Sequence, residues 1–147
     1  MISRSTDVSI VAAQLTCWAL LLFVSDLAAV LGKWYFWVIV VLSLAWMVSS
    51  QIQLGRSYSS FTRPRPPAVF VSRGVYRFVR HPIYTGLLSA GLAFVVSSPT
   101  GIVATTYLAL VLVTNARAGI EEQMLSDRYP EYTEYRTHTK RYIPFVI

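Results

Sequence analysis

Four apolar runs limit what this chain can fold into. Val8 to Leu31, Trp34 to Ser50, Ile83 to Ser97 and Ile102 to Thr114 carry almost no charge. At about 1.5 Å per residue, helices of this size reach across much of a bilayer core about 30 Å thick. A lipid-embedded backbone must satisfy its own polar groups, and separate runs of this length do so as helices. Composition agrees: 54% of the 147 residues are hydrophobic and the mean hydropathy is +0.50, more apolar than an ordinary soluble domain. The expected fold is all-α, one integral membrane domain over residues 1–147. Its four transmembrane helices are expected at about 8–31, 34–50, 83–97 and 102–116.

The first run is too long for a signal-peptide core, and no small-residue cleavage site stands out after it. It is therefore expected to stay as a helix. Gln14 and Asp26 interrupt it. An acidic side chain within a span is costly. Asp26 lies near the far end and reads as an interfacial carboxylate; a proton relay is the alternative. Gly32-Lys33 makes a tight turn, and Trp34, Tyr35, Phe36 and Trp37 open the second span as an aromatic belt. Ser98-Pro99-Thr100-Gly101 is a turn, so the third and fourth spans should form an antiparallel hairpin.

Charge sets the topology. Arg56, Arg63, Arg65, Arg73, Arg77 and Arg80 lie between the second and third spans. Arg117, Arg128, Arg136, Lys140 and Arg141 follow the fourth, and Arg4 precedes the first. Only Lys33 falls on the other side. The positive-inside rule puts both termini and the long connection in the cytoplasm. The net charge of +6 thus flanks apolar segments, which argues against a nucleic-acid partner and for membrane lipids. The small size points to a prokaryotic plasma membrane. Cys17 is the single cysteine and the two histidines are far apart, so neither a disulfide nor a zinc spacing is present. There is no Gly-rich phosphate loop after a strand and no Ser/His/Asp set.

The chemistry concentrates in Gly74-Val75-Tyr76-Arg77-Phe78-Val79-Arg80-His81-Pro82-Ile83-Tyr84-Thr85-Gly86. Pro82 suits the first turn of a helix. His81 then sits at a helix N-terminus, where anionic groups are favoured, and Arg77 and Arg80 add positive charge. The plain alternatives are that the arginines only hold the loop in the cytoplasm and that His81 only caps the helix. A second cluster, Arg117, Glu121 and Glu122, lies on the same side, with Arg117 and Glu121 at i,i+4 on one helix face. Its plain alternative is a surface ion pair of small worth. Between the motif and the second span, prolines at 64, 66 and 67 favour an extended crossing, followed by the apolar patch Ala68 to Val71. Tyr129, Tyr132 and Tyr135 recur every three residues, and Arg141 to Phe145 form an amphipathic tail. Two polar clusters beside apolar helices suit a reaction between a soluble cofactor and a lipid-like substrate.

From about 54 to 144 the chain resembles the isoprenylcysteine carboxyl methyltransferase and phospholipid methyltransferase family of integral membrane enzymes. The matching residues are Leu54-Gly55-Arg56-Ser57, Gly74-Val75-Tyr76, Arg80-His81-Pro82-Ile83-Tyr84-Thr85-Gly86, Glu121-Glu122 with Leu125, Tyr129 and Tyr132, and Tyr142-Ile143-Pro144. The resemblance implies methyl transfer from S-adenosyl-L-methionine in a cytoplasmic pocket built by the long connection and the C-terminal segment. It implies that Tyr76, His81, Pro82, Ile83 and Tyr84 line the cofactor pocket, with Ala68, Val69, Phe70 and Val71 beside them. Glu121 is implied at the cofactor, and Glu122 is expected there with it. Arg117 is implied to hold the substrate, and Arg117 and Arg80 are expected as the catalytic residues. The acceptor would be a lipid-like or prenylated molecule such as an isoprenylcysteine carboxylate. One departure bears on it. Eukaryotic carboxyl methyltransferases have more spans, and four leave little substrate tunnel in one protomer. A smaller apolar acceptor is then equally compatible, and a homo-oligomer would supply missing walls. The alternatives are a phospholipid or small-thiol methyltransferase of the same family, an NADPH-dependent membrane reductase of the sterol type, and a non-catalytic scaffold.

Overall fold

A computed structural model describes residues 4–55 and 70–144. Among the described residues six α-helices follow in order: α1 (Arg4–Val24), α2 (Leu27–Leu31), α3 (Trp34–Leu54), α4 (Pro82–Ser97), α5 (Gly101–Arg128) and α6 (Glu131–His138), with a 3₁₀ turn at Gly74–Arg77 before α4. Among the described residues the only extended pairing is one isolated bridge, Val79 with Lys140. The protein is an all-helical membrane protein. α1, α3 and α5 are long and apolar enough to cross a bilayer, and α4 is a shorter apolar helix. Four spans were expected, the third over 83–97, and α4 lies within a residue of those bounds. At 16 residues, α4 covers roughly 24 Å, less than a core of about 30 Å.

The expected first span is broken. α1 stops at Val24, and Asp26 begins α2 by accepting the Ala29 N–H on its side chain at 3.1 Å. Asp26 is thus a helix cap, which satisfies a donor that the helix start leaves open. α3 runs four residues beyond the expected end at Ser50. α5 runs on to Arg128 and carries the second polar cluster out of the apolar region as continuous helix. Thr100 caps its start by accepting from the Val103 N–H, so the turn before it works as a cap as well as a reversal.

α4 packs most closely on α3, while α1 lies along α5, which also meets α4. Gly86 allows the α3–α4 approach. A Cβ there would stand 2.8 Å from the Ser43 carbonyl oxygen and 2.4 Å from Met47 Cγ. The apolar core of Leu21, Val30, Phe36, Phe94 and Val103 sits where α1 and α4 end and α3 and α5 begin. Phe94 meets Phe36 edge-on at 5.1 Å and Trp18 at 6.3 Å. Lys33 lies at this end and donates to the Ser97 carbonyl at the close of α4, a favourable place for a cation. Many apolar side chains point outward, among them Phe23, Trp34, Leu15 and Ile52, as expected of helices that meet lipid. The polar residues gather at the opposite end.

Candidate active site

The end of α3 anchors the motif. Gln53 Oε1 accepts the Val75 N–H at 2.8 Å, which fixes the 3₁₀ turn against the helix. Gly74 takes φ +64°, and a Cβ there would fall 1.7 Å from that same Gln53 oxygen. A left-handed backbone and a crowded Cβ both call for glycine. The Tyr76 hydroxyl reaches the Ser50 carbonyl at 3.5 Å, and the Tyr76 carbonyl accepts the Tyr135 hydroxyl from α6.

The C-terminal segment then lies along the motif. The Arg80 N–H donates to the Lys140 carbonyl at 2.8 Å, and the His81 N–H to the Arg141 carbonyl at 3.1 Å. Thr85 Oγ1 donates to the Tyr142 carbonyl at 2.9 Å. Pro82 opens α4 as expected. His81 stands at its N-cap position without a side-chain cap bond, because its ring is engaged elsewhere.

The two adjacent glutamates have different surroundings. Glu122 is 1% exposed. It accepts from Arg80 Nε at 2.9 Å and from Arg141 Nη2 at 2.6 Å, and it faces His81 Nε2 at 3.2 Å. Arg80 also donates through Nη1 to the carbonyls of Arg136 and Thr139. A carboxylate this buried is tolerable only when paired and hydrogen-bonded on several sides. Glu122 and Arg80 therefore tie α5, the motif and the tail together.

Glu121 is the more accessible carboxylate, with 19% of its side chain exposed against 2% for Glu122. Tyr84 donates its hydroxyl to Glu121 Oε1. Arg117 Nε lies 3.4 Å from that oxygen, and His81 Nδ1 lies 3.6 Å from the other. Tyr84 stacks on His81 at 5.4 Å and 10°, while the Arg117 guanidinium covers the other part of the cluster, 5.5 Å from the Tyr84 ring centre. One imidazole thus stands between two carboxylates. A ring with a proton on one nitrogen serves one of them, and a ring with both protons serves both.

The polar chain continues towards the apolar part of the bundle. Arg117 Nη1 donates to Gln14 Oε1 at 2.6 Å, and Gln14 Nε2 donates to Thr114 Oγ1 at 3.2 Å. In sequence Gln14 reads only as an interruption of α1, and the one signal of this contact is a single amide in an apolar run.

On the outer side of Glu122 lies a cavity of about 450 Å³ lined by Arg80, Arg136, Lys140 and Arg141 with Asn115 and Thr139. Arg141 Nη1 donates to Asn115 Oδ1 at 2.7 Å. Hydrogen bonding to Glu122 holds the Arg141 guanidinium above its usual pKa. Burial, helped by the nearby glutamates, pushes the Tyr142 hydroxyl up to about 12. Burial pushes Tyr135 up to about 12 and raises Tyr132 as well.

The remaining expected residues divide into two groups. Phe70 packs in an aromatic cluster with Tyr129, Tyr132 and Tyr135, at ring distances of 5.9, 5.7 and 5.2 Å. Val71 follows it, and both are half-buried. Pro82 is buried and Ile83 half-buried at the start of α4. Ala68 and Val69 lie outside the described residues, as do Arg56 and Ser57. Among the described residues no group of three or more His, Cys, Asp or Glu side chains is placed to hold a metal ion.

Residues 34–127 match the isoprenylcysteine carboxyl methyltransferase (ICMT) family, a segment that runs from the start of α3 almost to the end of α5. No individual curated protein matches the chain.

Proposed function

The chain belongs to the isoprenylcysteine carboxyl methyltransferase family and is a membrane methyltransferase; from that premise we propose that it uses S-adenosyl-L-methionine to methylate the carboxylate of an isoprenylcysteine-type acceptor. The observation that supports this reading is the meeting of His81, Tyr84, Arg117 and Glu121 from two helices at the polar end of an apolar bundle.

The donor set fits the cofactor. Glu121 is the carboxylate with access, and it suits an ammonium or ribose hydroxyls through charge-assisted bonds. The rings of Tyr84, His81 and Tyr142 gather beside it and offer faces to a cation. Phe70, Val71, Tyr76 and Ile83 extend the pocket wall. When bound, S-adenosylmethionine supplies a methyl group made electrophilic by a sulfonium. Arg117 holds the acceptor carboxylate and neutralises it. A carboxylate nucleophile needs no general base, so the chain's task is positioning and exclusion of water. We assign Arg80 and Glu122 to closing the tail over the motif; they act through the fold and not on the reacting atoms. The site and both termini face the cytoplasm by the distribution of arginine and lysine.

The test is calorimetric binding of S-adenosylmethionine and its demethylated product to the detergent-purified chain, with Glu121→Ala and NADPH alongside. Micromolar binding of both adenosyl compounds, lost in Glu121→Ala, is expected. Binding of NADPH in their place would overturn the reading.

A further inference from the structure

We infer that Gln14 on α1 positions the Arg117 guanidinium for an acceptor carboxylate, which makes the N-terminal helix a working part of the acceptor site. The inference rests on the proposed role of Arg117. It goes beyond the family match, which begins at residue 34 and leaves α1 outside.

Gln14 and Arg117 are 103 positions apart in sequence, yet the amide oxygen accepts from Arg117 Nη1 at 2.6 Å. Gln14 is 6% exposed, Arg117 7% and Thr114 0%. Arginine carries only donors, so it requires the amide oxygen on its side. The amide nitrogen then points to Thr114, which it meets at 3.2 Å. Both ends of the amide are used, and its orientation is fixed. Arg117 is in turn held on a second side by Glu121 and lies against the Tyr84 ring.

The residue type matters as much as the contact. An amide orients a guanidinium without neutralising it. In a poorly solvated site a second carboxylate would cancel the charge that an acceptor carboxylate needs. Glutamine therefore holds Arg117 without adding a second negative charge to that of Glu121. A pure α1–α5 clamp has no such preference, because Glu in place of Gln would pair with Arg117 at least as strongly.

The experiment measures binding of N-acetyl-S-prenylcysteine, as free acid and as methyl ester, to the full chain in detergent. It compares wild type, Gln14→Leu, Gln14→Glu and Arg117→Lys, with thermal unfolding and S-adenosylmethionine affinity recorded for each. Wild type is expected to prefer the acid. Gln14→Leu should reduce that acid-over-ester preference about tenfold, the effect of losing one hydrogen bond to a charged group. Gln14→Glu should reduce it at least as much while keeping the unfolding temperature. Cofactor affinity should stay within about twofold in both. If Gln14→Glu keeps the full preference, Gln14 is only a helix clamp and the inference fails. If Arg117→Lys lowers the preference and neither Gln14 variant does, the inference fails and the role of Arg117 stands. If wild type shows no preference for the acid, both fail.

Discussion

Tyr84 donates its hydroxyl to Oε1 of Glu121, joining the first turn of α4 to the distal half of α5 across 37 positions of sequence. The same carboxylate faces Arg117 and His81, so the bond orients a group with three calls on it. Tyr84→Phe removes one donor and leaves the ring stacked on His81. We expect cofactor affinity to fall about ten- to a hundredfold, since a hydrogen bond to a charged group contributes roughly 1.5–3 kcal/mol, with little change in the unfolding temperature. Calorimetry beside a thermal melt separates the two. An unchanged affinity would remove Glu121 from the cofactor pocket.

Glu122 should behave in the opposite way. It holds Arg80, His81 and Arg141 at once and is closed to solvent. Glu122→Ala leaves three polar partners without their carboxylate, and breaking a buried pair costs about 3–5 kcal/mol. The expected outcome is a large fall in stability with early proteolysis of the segment after α5. A variant that kept its stability and lost only methyl transfer would return Glu122 to the chemistry.

Adjacent glutamates with unequal surroundings were not legible in the sequence, which brackets Glu121 and Glu122 together. Their difference comes from the tail: Arg141 docks against one and not the other, and nothing in local spacing announces that docking. The four apolar runs were legible because hydropathy is a property of composition. The break at Ser25-Asp26 was less so, although Asp before Leu27 is a capping pattern. Apolar content on both sides concealed it. The Arg117–Glu121 pair followed from i,i+4 geometry, whereas the Gln14 contact required knowing that α1 lies along α5. The motif glycines read as family pattern in sequence and acquire a physical reason only in the packing of α3.

Three glycines should respond differently to alanine. Gly86→Ala drives a Cβ to 2.8 Å from the Ser43 carbonyl oxygen, backbone that cannot turn aside. It should cost at least the roughly 1–3 kcal/mol typical of overpacking. Gly74→Ala meets both positive φ and Gln53, and it should loosen the motif and reduce cofactor binding. Gly119 lies inside α5 with nothing within 4 Å of a Cβ. There alanine should stabilise by about 0.5–1 kcal/mol through helix propensity. Denaturant unfolding in one detergent ranks the three, and a stabilised Gly86→Ala would mean that α3 and α4 do not approach as closely as described.

Alkaline pH should open the tail before it opens the bundle. The Tyr135 and Tyr142 hydroxyls are pushed up from 10.0 to about 12, in both cases chiefly by burial. Around Tyr142 the Glu122 and Glu121 charges add to the rise, while Arg141 and Arg80 oppose it. Around Tyr135 a hydrogen bond with Thr139 and the charge of Arg80 oppose it. An unfolded tyrosine releases its proton near pH 10. Between about pH 10 and 12 the folded chain therefore binds more protons than the unfolded one, and stability falls as pH rises. The contribution is complete below pH 10 and is lost as pH passes through 12. Absorbance of tyrosinate at 295 nm, compared with Tyr135→Phe and Tyr142→Phe, should assign one late-titrating group to each of the two tyrosines, together with release of α6 and the tail. Tyr142→Phe should remove one late group and flatten the stability profile over that window. If Tyr135→Phe and Tyr142→Phe each removed a group titrating near pH 10 and not a late one, the tail would not cover these two hydroxyls.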